Sequence, residues 1–184
     1  MTDVDRALSE AAQGLPAAGP TRQALDGLLA RAEKEGLMDV AYTQVDSPLG
    51  PLTVAATPRG LVRLAYPDRP LDQVLAGLAD AVSPRILEAP VRLDPIRREL
   101  EEYFGGRRRR FDTPIDWALT RGFFRRVLQV TAEIGYGEVC TYTEVAARAG
   151  SARAVRATGN GLGSNPMPVA RTARALPARA ATSV

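Results

Sequence analysis

Apolar residues in the middle of the chain come in short runs broken by Pro and Gly. Residues 40–45, 52–56 and 61–66 each read as a strand, separated by the turn clusters Ser47-Pro48-Leu49-Gly50-Pro51 and Pro58-Arg59-Gly60. Three short strands with tight turns predict an antiparallel meander. The spacing then becomes helical. Leu71, Val74, Leu75 and Leu78 predict a helix over 70–81. Asp94 as cap and Pro95 at the first position open a helix over 95–104, which Gly105-Gly106 stops. Phe124, Val127, Leu128 and Thr131 form the core-facing stripe of a helix over 121–134. Ahead of the strands lie two short amphipathic helices, 3–13 and 21–35, with Pro16, Gly19 and Pro20 between them. Thr21 caps the second, Leu25, Leu28, Leu29 and Ala32 line it, and Gly36 ends it. Residues 1–37 therefore read as an N-terminal helical extension.

After Gly135 the pattern turns into a pair of short helices. Thr141-Tyr142-Thr143-Glu144 places an acid three residues after a hydroxyl, a capping-box arrangement, and the Ala-rich body ends at Gly150. A second helix is predicted from Ser151 through Thr158, and two helices joined by a tight Gly turn describe a helix-turn-helix. Arg153 and Arg156, three apart, then share one face of the second helix. In a DNA reader that face enters a groove. In a helical bundle it is a solvated surface.

Charge sharpens the picture. The chain has 24 Lys+Arg against 21 Asp+Glu, a net charge of +3, and Lys34 is its single lysine, which leaves 23 arginines. GC-rich codons explain that bias most simply, although Arg is also the better phosphate and base-edge reader. The charge is uneven: residues 1–36 carry a net −2, whereas 139–184 carry six Arg against Glu144, a net +5. An anionic partner would bind at that basic end. The run Arg107-Arg108-Arg109-Arg110 reads either as a phosphate grip or as a solvated edge. With no His and one Cys, these residues cannot build a Ser-His-Asp triad, a Cys-His pair, a His/Cys zinc site or an internal disulfide. The expectation is no metal and no cofactor. No apolar stretch approaches the roughly 20 residues of a membrane span. The acidic start lacks a signal-peptide pattern, so the expected location is cytoplasmic, with no membrane partner.

The strings Ile134-Gly135-Tyr136-Gly137-Glu138-Val139, Thr141-Tyr142-Thr143-Glu144-Val145-Ala146, Ala152-Arg153-Ala154-Val155 and Asn165-Pro166-Met167-Pro168 resemble the DNA-binding domain of O6-alkylguanine-DNA alkyltransferases. These are the methylated-DNA–protein-cysteine methyltransferases. Ser47 to Gly50 with the following strands, and 94–111, are similar to that family's N-terminal domain. The resemblance implies an α/β (α+β) fold with a small ribonuclease-H-like sheet domain at 38–112. A helix-turn-helix DNA-binding domain follows at 113–168, and a divergent, disordered tail at 169–184. It implies a DNA repair protein, a monomer, that enters the minor groove of double-stranded DNA and flips an alkylated guanine. Arg153 would intercalate in its place, Tyr142 would press on the target phosphate beside Thr143, and Arg156 would share the DNA-facing surface. Asn165 would organise a turn and a hydrogen-bond relay, while Gly159, Gly161 and Gly163 would let backbone approach DNA closely.

The chain departs from the family at its catalytic motif, Pro-Cys-His-Arg. By spacing from Asn165, Ala173 stands at the Cys position and Arg174 at the His position. Alanine has no nucleophile and arginine stays protonated. Cys140, the single thiol, lies before the helix-turn-helix with no His to activate it, and reads as a buried filler. Residues 169–184 are Ala- and Arg-rich with no acid and no Gly, the mix that an out-of-frame reading of GC-rich DNA tends to give. The expectation is an inactive or frameshifted alkyltransferase. The alternatives are a non-catalytic alkyltransferase-like damage sensor and a helix-turn-helix transcription regulator.

Overall fold

A computed structural model describes residues 22–135 and 137–166. The first predicted helix (3–13), the Thr21 cap, Met167-Pro168, Ala173, Arg174 and the tail lie outside the described residues. The chain divides into two compact units after Gly36. Of the first, helix α1 (Arg22–Lys34) is described. Its ion pair Arg31–Glu35 spans one turn at 2.7 Å, and Leu28 on the predicted stripe is 61% exposed.

The second unit begins with the predicted strands β1 (Val40–Val45), β2 (Leu52–Thr57) and β3 (Gly60–Ala65). Helix α2 (Leu71–Ala81) carries the chain across to β4 (Ile86–Glu88), giving the sheet order β3-β2-β1-β4. The first three strands are antiparallel, and β4 runs parallel to β1. The pattern reading misses β4: three residues are too few to show alternation, and only the crossover through α2 brings them beside β1. Val74 and Leu78 of α2 cover one face of the sheet, packing on Val40, Ala55, Val62 and Ala65.

Helix α3 (Asp94–Phe104) starts one residue earlier than predicted, because the 3₁₀ turn Pro90–Leu93 runs straight into it. Asp94 is therefore no cap: it forms an ion pair with Arg97 at 3.0 Å inside the first turn. The arginine run follows. Arg108 is tied inward, to Glu102 at 2.7 Å and Asp112 at 2.9 Å, and Arg110 lies 3.9 Å from Asp112. Here the run staples the end of α3 to the connecting segment, which favours a local edge over a phosphate grip.

That connecting segment closes the free edge of β3. Pro114 accepts from the Leu61 N–H and the Asp116 N–H donates to the Leu61 carbonyl, both at 2.9 Å. Asp116 is buried and accepts hydrogen bonds from the Thr57 hydroxyl, from Arg59 Nε at 3.0 Å and from the Ala118 N–H at 3.0 Å. The approach is so close that Gly60 is required: its φ is +132° and an added Cβ would sit 2.2 Å from the Pro114 oxygen. Helix α4 (Gly122–Glu133) then leads into α5 (Tyr142–Arg148) and α6 (Val155–Gly163). Val127, Ile134, Val145 and Ala149 form the core of this helical layer. Its last described residue returns to the sheet, where the Pro166 carbonyl accepts from the Leu64 N–H at 2.9 Å. Among the described residues no helix is long and apolar enough to cross a membrane.

Candidate nucleic-acid interface

The site is built from the start of α5. Thr141 Oγ1 accepts from the Glu144 N–H at 3.2 Å, and the Glu144 carboxylate accepts from the Thr141 N–H at 2.7 Å, so the predicted capping box forms. The Thr141 amide, then the Thr141 hydroxyl, holds the Glu144 carboxyl below the usual Glu range. A lowered folded-state value means a contribution that is complete above the ordinary Glu value and is lost as pH falls through the lowered one. Thr141→Ala is expected to cost about 1 kcal/mol of stability. Thermal melts at stepped pH check this, and the gap from wild type should narrow on the acid side as Glu144 takes its proton.

Tyr142, the first residue of α5, is 54% exposed, and its ring rests on α6, where a Cβ added at Gly159 would lie 3.5 Å away. Thr143 beside it is also exposed. A Cβ at 159 would make only ordinary van der Waals contact with that ring. At Gly161 an added Cβ would stand 2.8 Å from the Phe124 ring. The glycine permits close packing of α6 on α4 within the protein, whereas nothing lies within 4 Å of a Cβ at Gly163.

The second helix starts later than its sequence reads. Ser151 to Ala154 form a turn closed by the Ala154 N–H on the Ser151 carbonyl at 2.9 Å, and α6 begins at Val155. Arg153 and Arg156 therefore do not share a helical face. Arg153 is exposed in the turn, and Arg156 is exposed in the first turn of α6. Neither takes part in an ion pair or side-chain hydrogen bond among the described residues. Arg148, by contrast, pairs with Glu133 at 2.8 Å, and Arg126 donates to the Ala149 carbonyl at 2.9 Å. The Arg148–Glu133 pair lies on the exposed side of the layer, and the Arg126 contact ties α4 to the end of α5. Asn165 lies at the end of α6, half-buried, its N–H 3.3 Å from the Leu162 carbonyl. Asn160, which the motif reading passes over, is exposed on α6; only a helical projection of 155–163 picks it out.

Cys140 is half-buried, not fully buried, against Val127, Ile134, Val145 and Ala149. Burial, then the Glu144 carboxylate, pushes its thiol up. That environment opposes the thiolate which nucleophilic transfer needs. Among the described residues no three His, Cys, Asp or Glu side chains gather as metal ligands.

Comparison with known proteins agrees with this layout. Residues 40–117 match the family model described as 6-O-methylguanine DNA methyltransferase, ribonuclease-like domain, and 122–173 match the one described as the DNA binding domain of the same family. The constitutive methylated-DNA–protein-cysteine methyltransferase of Bacillus subtilis is 30% identical over 131 residues, 70% of this chain and 74% of that one. The chain belongs to the 6-O-methylguanine DNA methyltransferase family. A methylated-DNA–protein-cysteine methyltransferase of Mycolicibacterium paratuberculosis is 33% identical, over 71% of this chain and 73% of its own length. Among solved structures, Mycobacterium tuberculosis OGT in complex with DNA matches with a TM-score of 0.60 at 29% identity, covering 75% of this chain and 79% of that one. The sheet and the helical layer are thus the ribonuclease-like and DNA-binding halves of this family. The family match runs through residue 173, the position read as that of the acceptor cysteine, and the residue there is Ala173.

Proposed function

We propose that this chain binds duplex DNA through α5 and α6 in the minor groove and holds an O6-alkylated guanine turned out of the stack, without accepting its alkyl group. The observation that carries the reading is Arg156: exposed in the first turn of α6, with no partner among the described residues, on the helix that also supports Tyr142. The first turn of a helix is its positive end, and here it holds no acidic residue. A cation placed there is unfavourable until an anionic partner such as a phosphate arrives.

A stacked base hides its reactive atom, so a side chain must fill the space when the base is extruded. Arg153 is the residue that the Ala-Arg-Ala-Val string assigns to that task. Placement on the helix favours Arg156, with Arg153 in the turn as a phosphate contact. Tyr142 and Thr143 flank the same surface, and Asn165 with Pro166 ties the end of α6 to the sheet.

Ala173 and Arg174 supply neither a nucleophile nor a base, and the thiol of Cys140 is held protonated against the layer's core. The test uses the full chain and duplexes carrying O6-[methyl-labelled]-methylguanine. The expected result is tighter binding to the alkylated duplex than to the plain one, with no label on the protein. Stoichiometric label at Cys140, or equal affinity for the two duplexes, overturns the proposal.

A further inference from the structure

The exposed face of α6 carries a polar side chain that the alkyltransferase resemblance assigns no role. Counting around the helix at 3.6 residues per turn, Arg156, Asn160 and Gly163 fall on one line. Val155, Thr158, Gly161 and Leu162 fall on the opposite side, where Thr158 is 0% exposed. Asn160 lies about 200° around the helix from Thr158, at the centre of the solvent-facing strip. Its side chain makes no hydrogen bond among the described residues, whereas its backbone carbonyl accepts from the Ser164 N–H at 3.1 Å and the Ser164 hydroxyl at 2.8 Å. The residues around it are small: Ala157, Gly159 and Gly163. An Asn side chain is short, so it reaches a base edge only where the helix backbone itself comes close. This surface permits that approach, since a Cβ at Gly163 would meet nothing within 4 Å.

We infer that Asn160 is a base-reading residue, its amide paired with the minor-groove edge of a guanine near the extruded base. In the minor groove the guanine N2 amine is the one group that separates G·C from A·T. Asn160 Oδ1 accepts from that amine while its Nδ2 donates to the neighbouring N3, so both halves of the amide are satisfied. Arg156, one turn earlier, then supplies attachment, and Asn160 supplies sequence preference. This inference rests on the DNA-binding reading above.

The experiment measures equilibrium binding of the full chain and of Asn160→Ala to duplexes in which each guanine flanking the target is replaced in turn by inosine. Inosine lacks only the N2 amine. At one position, inosine should weaken wild-type binding about tenfold, within the range of a good bidentate base contact. Asn160→Ala should bind the guanine and inosine duplexes within about twofold of each other. An equal inosine penalty in both proteins overturns the inference and leaves the DNA-binding reading standing. A wild-type chain that binds no duplex overturns both. A circular dichroism spectrum matching wild type confirms that the variant is folded, as expected for an exposed helical position.

Discussion

Gly60→Ala is expected to lower stability by about 3–5 kcal/mol, a drop in Tm on the order of 10 °C for a chain of this size. The reason is geometric. At φ +132° an L side chain is strained, and the added Cβ would sit 2.2 Å from the Pro114 oxygen and 2.6 Å from the Pro114 carbonyl carbon. Backbone, not a flexible side-chain tip, would have to yield. If the connecting segment moves away, it gives up the Leu61 N–H to Pro114 bond and the Asp116 N–H to Leu61 bond, about 1 kcal/mol each. It also draws the buried Asp116 carboxylate from Thr57 and Arg59. Trp117, the single tryptophan, follows Asp116 in the chain, so its fluorescence reports the segment directly in a thermal melt. A Tm within about 2 °C of wild type would show that this edge does not hold the sheet.

The same edge links the two halves of the molecule. β3 meets Pro114 and Asp116 at Leu61 and Pro166 at Leu64, two bonds from the segment that enters the helical layer and one from the segment that leaves it. Loosening Gly60 should therefore reach the seat of Asn165 and Pro166, at the end of the helix proposed to meet DNA.

Much of this was legible from the residue pattern, for identifiable reasons. β1, β2 and β3 announce themselves because Pro and Gly punctuate them, and the Thr141–Glu144 box because its geometry is local. What stayed hidden depended on contacts between distant residues. β4 exists only beside β1. Asp94 loses its capping role because a 3₁₀ turn continues into α3. The residue pattern places the start of α6 too early because Ser151-Ala152-Arg153-Ala154 contains no residue that forbids helix. Tertiary packing decides it: Thr158 must be buried and Gly161 must meet Phe124, which fixes the rotation of α6. The later start puts Arg156 on the helix and leaves Arg153 in the turn, separating two arginines that the spacing alone places on one face.

The separation gives the sharpest functional expectation. Arg156→Ala should weaken binding to alkylated duplex by about 10- to 100-fold and abolish the preference for alkylated over plain DNA. Arg153→Ala should weaken both duplexes alike, by a few-fold, and reduce the salt slope by about one unit. The asymmetry follows from position. Arg156 is carried by a helix braced on Phe124 at Gly161 and on Tyr142 at Gly159, so its Cα is held while its side chain reaches outward. A wedge needs such a fixed base, because every rotamer frozen on binding costs affinity. Arg153 sits in the turn before that helix, where a long cation reaches a phosphate from many backbone positions. Titrations of both variants against both duplexes at several salt concentrations separate the two roles. If Arg153→Ala removes the lesion preference and Arg156→Ala leaves it intact, the wedge belongs to the turn, as the Ala-Arg-Ala-Val string assigns it, and the helix rotation does not select the extruding residue.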